Sequence, residues 1–229
     1  MTYAGNLDFL RKISLKQGVH HVRGDIKSFL HFSNELYNFE PHVIVNFAAE
    51  SHVDNSIEDP DKFITTNING TFNILKCLLD YRTKMGKDVL LLHVSTDEVY
   101  GSLGKSGYFT ETTSYDPRSP YSASKAASDH LVMSYFHTYG LPVKITNCSN
   151  NYGPWQNGEK LIPKVIKNIL NGDKIPIYGK GKNIRDWLYV EDHCKAIELV
   201  IQKGSLGESY NIGGDCELSN INLVKEILK

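Results

Sequence analysis

Charge of one sign is what this sequence most plainly lacks: 25 Lys and Arg stand against 26 Asp and Glu, a formal net charge of -1. With no basic footprint and no run of like charges, nucleic acid and an anionic membrane surface are not expected partners. Long apolar runs are also missing, and no stretch approaches the roughly 20 apolar residues of a membrane span. Met1 to Asn6 is polar and glycine-containing, without the basic and apolar regions of a secretory leader, so a cytoplasmic protein is expected. Cysteine is scarce, and Cys77, Cys148, Cys194 and Cys216 lie far apart with no C-x-x-C. That spacing excludes a disulfide framework and a structural zinc site, and predicts four reduced thiols, mostly packed. No metal is expected, because His52, His93 and His193 have no clustered ligand set beside them. Repeats and low-complexity segments are absent too.

What is present is the balance of a globular protein: 229 residues, 41% hydrophobic and 22% charged, enough for one large core or two small ones. Short β-branched runs alternate with longer helical stretches, the pattern of crossover units on a parallel sheet. His42 to Ala48, Asp88 to Ser95 and Val143 to Asn147 read as buried strands. Pro60 to Arg82 reads as one long helix with a buried stripe at Phe63, Ile64, Ile68, Phe72, Ile74, Leu75, Leu78 and Leu79. Ser119 to Tyr139 reads as a second, with Pro120 at an N-terminal position that tolerates its missing N–H. Beyond Tyr152 the texture changes. Loops at Gly153-Pro154 and Asn157-Gly158 precede a helix (Lys160 to Leu170), a short strand (Ile175 to Tyr178) and a turn through Gly179 and Gly181. A helix (Val190 to Gln202), a strand (Tyr210 to Ile212) and a last helix (Asn220 to Leu228) follow. The expected fold class is α/β, a doubly wound parallel sheet over 1–150 and a smaller domain over 151–229.

Chemistry concentrates in two places. Tyr121 and Lys125, in Tyr121-Ser-Ala-Ser-Lys125, stand four residues apart and share a helix face. A nearby ammonium favours a phenolate, so this pair could form a general base; taken alone, it also fits a solvated helix face. Upstream, the apolar strand runs into Ser95-Thr96-Asp97-Glu98-Val99-Tyr100-Gly101, placing a hydroxyl and two carboxyls at the strand's carboxyl end, where α/β sheets bind ligands. Two adjacent acids can divide into proton donor and acceptor, although a surface turn with solvated acids looks the same in sequence. Together the two segments favour a site.

With these motifs the sequence resembles the extended short-chain dehydrogenase/reductase superfamily and, within it, the dTDP-glucose 4,6-dehydratases. The resemblance rests also on Tyr3 to Asn6, Gly24-Asp25-Ile26, Phe47 to Asp54, Ser149 to Pro154, Glu159 to Pro163, Arg185 to His193 and Tyr210 to Gly214. Thr96-Asp97-Glu98 sets the dehydratases apart from the epimerases and decarboxylases of the superfamily. The resemblance implies a Rossmann-like fold, NAD as temporary hydride store, and a redox-neutral loss of water from dTDP-glucose that yields a 4-keto-6-deoxy sugar. Tyr121, assisted by Lys125 and Thr96, would deprotonate the C4 hydroxyl; Glu98 would take the C5 proton and Asp97 would protonate the departing C6 hydroxyl. By position, Asp25, Ile26, Ala48, Ala49, Ser51, Thr66, Tyr121, Lys125 and Asn151 correspond to cofactor contacts. Ser51, Thr96, Asn150, Lys160, Leu161, Pro176, Ile177, Tyr178, Arg185 and Asn220 correspond to substrate contacts, with Arg185 suited to a phosphate. Asn55 departs from the basic residue usual there. The resemblance further implies a homodimer.

The family opens with a strand, a glycine-rich turn and a helix that cradle the cofactor's pyrophosphate, and nothing before Met1 supplies them. Gly101, Gly104 and Gly107 spell G-x-x-G-x-x-G, but no helix is expected after them, so this is not that loop. The chain therefore reads as trimmed at both ends: an N-terminally incomplete NAD domain lacking its first βα unit, and a C-terminally incomplete nucleotide-sugar domain. Other readings are a GDP-mannose dehydratase, a UDP-sugar epimerase, or a non-catalytic piece that only oligomerises.

Overall fold

A computed structural model of the chain describes Lys12 and residues 18–104, 107–177 and 179–229. The described chain forms two compact units. The first comprises Arg23–Cys148 and Ile197–Asn211; the second includes Ser149–Ala196 and Ile212–Lys229. Residues Ile197–Asn211 thus pack with the first unit, although they lie within 151–229 in sequence.

The first unit is a sheet ordered β1-β2-β3-β6, from β1 (Val43–Asn46), β2 (Leu90–Thr96), β3 (Val143–Cys148) and β6 (Ser209–Ile212). β1 pairs parallel with β2, Val43 opposite Leu90, and β2 pairs parallel with β3, Leu91 opposite Val143. The expected parallel α/β sheet is present. Its strands read as apolar runs because parallel strands are covered on both faces. Leu91, Val143 and Ile145 pack in one core with Ile74, Leu75, Leu78 and Tyr81, and with Val132 and Tyr135. Burying such side chains stabilises by roughly 1.5–3 kcal/mol each. On β3, Lys144 alternates with Val143 and Ile145, and its Nζ donates to the carbonyls of Val200 (2.9 Å) and Ile201 (2.8 Å). The last turns of α7 (Val190–Lys203) therefore lie over the other face of the sheet, and their open carbonyls are satisfied by a lysine.

The helices differ from expectation in one instructive way. Pro60 to Arg82 is not one α-helix but α3 (Pro60–Phe63), a π-helical segment (Ile64–Gly70) and α4 (Thr71–Met85). Phe63, Ile74, Leu75 and Leu78 are buried as expected, whereas Ile64 and Phe72 are exposed, because a wider turn rotates the apolar stripe out of α-helical phase. The segment is anchored at Asn67, which accepts from Glu50 N–H (2.8 Å) and donates to Glu50 carbonyl (3.0 Å) and Ser124 Oγ (2.9 Å). Two helices that the sequence reading leaves unassigned, α1 (Phe29–Phe39) and α2 (Val53–Glu58), flank this region; Ser28 caps the first. α5 (Pro120–Tyr139) starts where predicted. Ser119 and Ser122 form a capping box, worth about 1 kcal/mol, and Gly140 ends the helix at φ +67°.

The second unit carries α6 (Leu161–Asn171) and a three-stranded sheet ordered β4-β5-β7. β4 (Asn150–Tyr152) runs parallel to β5 (Ile184–Tyr189), and β7 (Glu217–Ser219) antiparallel to it, so this sheet is mixed. The Asp186 carboxylate accepts from Gly214 N–H (2.6 Å) and Cys216 N–H (2.8 Å). A Cβ on Gly214 would stand 2.1 Å from Trp187 O, so the close approach of that loop requires glycine. The strand expected at Ile175 to Tyr178 is absent: Ile175, Pro176 and Ile177 have no regular structure, and Tyr178 lies outside the described residues. The last helix, α8 (Asn220–Ile227), is capped by Ser219. All four thiols are free, but only Cys77 is buried; Cys148 is half-buried, and Cys194 and Cys216 are exposed rather than packed.

Candidate active site

The carboxyl end of β2 is where the chemistry gathers. Thr96 closes the strand and caps a single 3-10 turn, Asp97–Tyr100, by accepting from Glu98 N–H at 3.3 Å. Its hydroxyl also contacts Asp97 Oδ1 at 3.3 Å. The tight turn holds Asp97 and Glu98 half-buried at the strand end, with Val99 and Tyr100 anchored in a small core with Ala126. Gly101 leaves the turn at φ +86°, and a Cβ there would meet Asp116 O at 2.4 Å. No helix follows among the described residues 101–104 and 107–110, so the G-x-x-G-x-x-G match opens nothing.

Tyr121 enters from the first turn of α5, its ring edge-on to Phe63 with centroids 6.2 Å apart. Thr96 hydrogen-bonds the phenol, which favours the phenolate, but burial and the neighbouring Glu98 charge outweigh it and push the Tyr121 pKa well above its ordinary value. Lys125 does not bring that pKa down as the spacing suggests. Its Nζ donates to Val94 O at 2.8 Å and stands 3.4 Å from His93 Nε2. Burial lowers the pKa of this amine, while Asp129 raises it.

Below the pair lies a buried polar network that the motifs do not reveal. Asp129, one helical turn beyond Lys125, accepts at Oδ2 from Ser95 Oγ (2.6 Å) and Tyr115 OH (3.0 Å), and its Oδ1 lies 3.4 Å from His93 Nε2. Burial raises Asp129 to about 6, against the opposing pull of Lys125, and holds His93 neutral. The signal for Asp129 is its spacing: Tyr121, Lys125 and Asp129 recur every four residues on one helix face, and a carboxylate on a packed face needs a partner.

Thr96, Asp97, Glu98, Tyr121 and Lys125 are thus brought together within the first unit. Of the expected cofactor contacts, Asp25 is exposed and accepts from Lys27 N–H, and Ile26 O accepts from Asn73 at 2.6 Å. Ala48 and Ser51 are exposed just beyond β1, Ala49 and Thr66 are half-buried, and the Ala48 N–H donates to Asn46 Oδ1 at 3.2 Å. Asn151 belongs to the second unit; its buried Oδ1 has no hydrogen-bond partner among the described residues. Within that unit, Asn150 lies in β4, Lys160 and Leu161 begin α6, Arg185 is exposed on β5, and Pro176 and Ile177 are exposed in an irregular segment. Asn220 starts α8 with its Oδ1 likewise unpartnered. Asn55 lies in α2, where its N–H donates to His52 Nδ1. No group of three or more His, Cys, Asp and Glu able to hold a metal is found among the described residues. No helix there is long and apolar enough to cross a membrane.

Comparison with known proteins gives this arrangement its context. The family model described as GDP-mannose 4,6 dehydratase matches residues 1–229. The chain is 54% identical over 231 residues to the dTDP-glucose 4,6-dehydratase of Xanthomonas campestris pv. campestris (strain B100), covering 99% of this chain and 66% of that protein. To the dTDP-glucose 4,6-dehydratase of Salmonella typhimurium it is 48% identical, over 98% of this chain and 66% of that protein. The chain thus spans about two thirds of these relatives' length. Among solved structures, the dTDP-glucose 4,6-dehydratase DesIV of Streptomyces venezuelae, with NAD bound, superposes with a TM-score of 0.92 at 45% identity, covering 100% of this chain and 68% of that one. A UDP-glucose 4-epimerase of Thermus thermophilus, also with NAD, is more distant, at 27% identity and a TM-score of 0.85 over 94% of this chain and 70% of that one. The chain belongs to the GDP-mannose 4,6 dehydratase family, and its similarity within that family is to dTDP-glucose 4,6-dehydratases.

Proposed function

We propose that this chain carries the catalytic residues of an NAD-dependent dTDP-glucose 4,6-dehydratase, a cytoplasmic hydro-lyase. The observation that carries the reading is the joint placement of Tyr121, Thr96, Asp97 and Glu98 around one strand end, with Thr96 bonded to the phenol and capping the turn that bears both acids. An epimerase needs no carboxyl pair at that position, whereas an elimination needs an acid and a base. The donor set fits NAD: the phenol and amine lie on one helix face, the chain beyond β1 is formed by the small residues Ala48 and Ala49, and Asn151 Oδ1 is an unpaired buried acceptor in the second unit. NAD supplies a hydride acceptor whose positive ring favours a phenolate when bound. Asp25, Ile26, Ala48, Ala49, Ser51, Thr66, Tyr121, Lys125 and Asn151 hold it.

Tyr121 takes the proton of the sugar C4 hydroxyl, and Thr96 keeps the phenol aimed by its hydrogen bond. Once C4 is a ketone the C5 proton is acidic. Glu98 removes it, and Asp97 gives its proton to the C6 hydroxyl as it leaves as water. In the second unit Asn150, Lys160, Leu161, Pro176, Ile177, Tyr178, Arg185 and Asn220 bind the nucleoside diphosphate. Lys160 and Leu161 offer a helix N-terminus and a cation, and Arg185 a two-pronged donor, both suited to phosphate. Proton NMR of the chain incubated with NAD and dTDP-glucose is expected to show the new C6 methyl doublet. A panel in which GDP-mannose alone gives that signal would reassign the substrate, and no signal with any sugar would sink the reading.

We propose also that the protein is a homodimer through α4 and α5. Phe72, Met85 and Tyr139 on these helices are large apolar groups left exposed. Size-exclusion chromatography with light scattering is expected to give twice the chain mass; a monomer at micromolar concentration counts against it.

A further inference from the structure

We propose that Asn46, His93 and Asp129 form a one-directional buried hydrogen-bond chain that holds Asp129 ionised as the counter-charge of Lys125, making His93 and Asp129 positioning residues for that lysine. The direction follows from a backbone donor. Ala48 N–H can only donate, so the Asn46 oxygen must face it, at 3.2 Å. That turns the Asn46 NH2 toward His93 Nδ1, at 3.1 Å, and a donor there requires Nδ1 to be the bare nitrogen. Neutral His93 therefore carries its proton on Nε2. Two groups stand 3.4 Å from that nitrogen: the Lys125 ammonium, itself a donor and already bonded to Val94 O, and Asp129 Oδ1, which has no hydrogen-bond partner among the described residues, while Oδ2 accepts from Ser95 and Tyr115. Of the two, Oδ1 is the acceptor to which an Nε2–H can turn.

An orphan acceptor opposite an obligatory donor, with two further hydroxyl donors on its second oxygen, is an arrangement that only a carboxylate satisfies. Every group in the chain is almost fully buried: Asn46, His93, Ser95, Lys125 and Asp129 are each 1–3% exposed. A carboxylate so placed needs a cation, and Lys125, one turn back on α5, is the cation within the cluster. The titratable groups facing Asp129 are His93 from β2, Tyr100 and Tyr115 from the segment that follows, and Lys125 and His130 from α5. Lys125 itself faces Asp129 and Cys148 of β3. Tautomer choice thus passes from the end of β1, beside the expected cofactor contact Ala48, to the lysine paired with Tyr121. Its consequence for turnover rests on the dehydratase reading above; the tautomer and the carboxyl titration do not.

The sign of the pH effect is fixed. Burial lowers the Lys125 pKa and Asp129 raises it, so Asp129→Asn removes the raising influence alone, and Lys125 loses its proton at lower pH than in the wild type. The alkaline limb of kcat/KM is expected to move toward lower pH, with activity lost first at the alkaline end of the profile. Long-range proton–nitrogen NMR of the same 229-residue chain, with His93 assigned by its loss in His93→Gln, is expected to show Nε2 protonated and Nδ1 bare at neutral pH. Carbon-13 carboxyl titration is expected to place Asp129 near 6, and Ser95→Ala, which deletes one donor and leaves the charges intact, is expected to move that midpoint up. A protonated Nδ1, an unmoved carboxyl midpoint in Ser95→Ala, or an unshifted alkaline limb in folded Asp129→Asn would each overturn the proposal. A chain without turnover whose His93 and Asp129 behave as stated keeps the positioning pair and removes the dehydratase reading.

Discussion

Replacing Tyr121 with Phe is expected to lower kcat on dTDP-glucose by about 10²–10⁴-fold, the usual contribution of a positioned acid or base. The substitution is unusually clean. The Tyr121 ring keeps its edge contact with Phe63, helix α5 keeps its Ser119 cap, and only the hydroxyl bonded to Thr96 is lost. Melting temperature should therefore hold while the rate collapses, because the sugar C4 proton has lost its acceptor. Rates follow from the C6 methyl signal, and retention of more than a tenth of wild-type kcat would remove Tyr121 from the chemistry. Since burial and Glu98 hold the phenol above its ordinary pKa, wild-type activity should rise with pH through the neutral range, as a base active in its deprotonated form requires.

Glu98→Gln separates the two halves of the proposed reaction. Glu98 contributes its backbone N–H to the Thr96 cap, which Gln keeps, so the 3-10 turn and the aim of Asp97 survive. What Gln cannot do is remove the C5 proton. Overall turnover is expected to fall by about 10²–10⁴-fold, and solvent deuterium should stop entering C5 of the recovered sugar. The corresponding Asp97→Asn variant still removes that proton, so exchange at C5 continues in it while water loss slows. Equal C5 exchange in wild type and Glu98→Gln would show that the two carboxyls have other roles.

Much of the sheet was legible because parallel strands covered on both faces must be apolar throughout, and Leu90–Thr96 and Val143–Cys148 are two such runs. The helix from Pro60 was harder. Its π-helical segment is imposed by Asn67 bonding to Glu50, seventeen positions away, and no window of local periodicity contains that constraint. Phe29–Phe39 did carry a readable signal, since Phe29, Phe32, Ser33 and Leu36 fall on one face behind the Ser28 cap. The three-residue strands β4 and β7 of the second unit are too short for a periodic signal. At the site, Tyr121, Lys125 and the Thr96-Asp97-Glu98 run stood out because polar groups interrupt apolar patterns there. His93 did not, since one polar residue inside an apolar strand reads as a packed imidazole until Asp129 and Lys125 are found on either side of it. The lowered Tyr121 pKa inferred from helix spacing fails for the same reason: Lys125 is turned toward Val94 O and His93.

The central claim is a redox-neutral elimination in which hydrogen leaves C4 and returns to C6 of the same sugar. It is tested most directly with dTDP-glucose deuterated at C4, incubated with the chain and NAD in ordinary water and examined by proton and deuterium NMR. The account predicts a 4-keto-6-deoxy product with the label in its C6 methyl group. An unlabelled methyl group, or a sugar inverted at C4 with no methyl group at all, would contradict it.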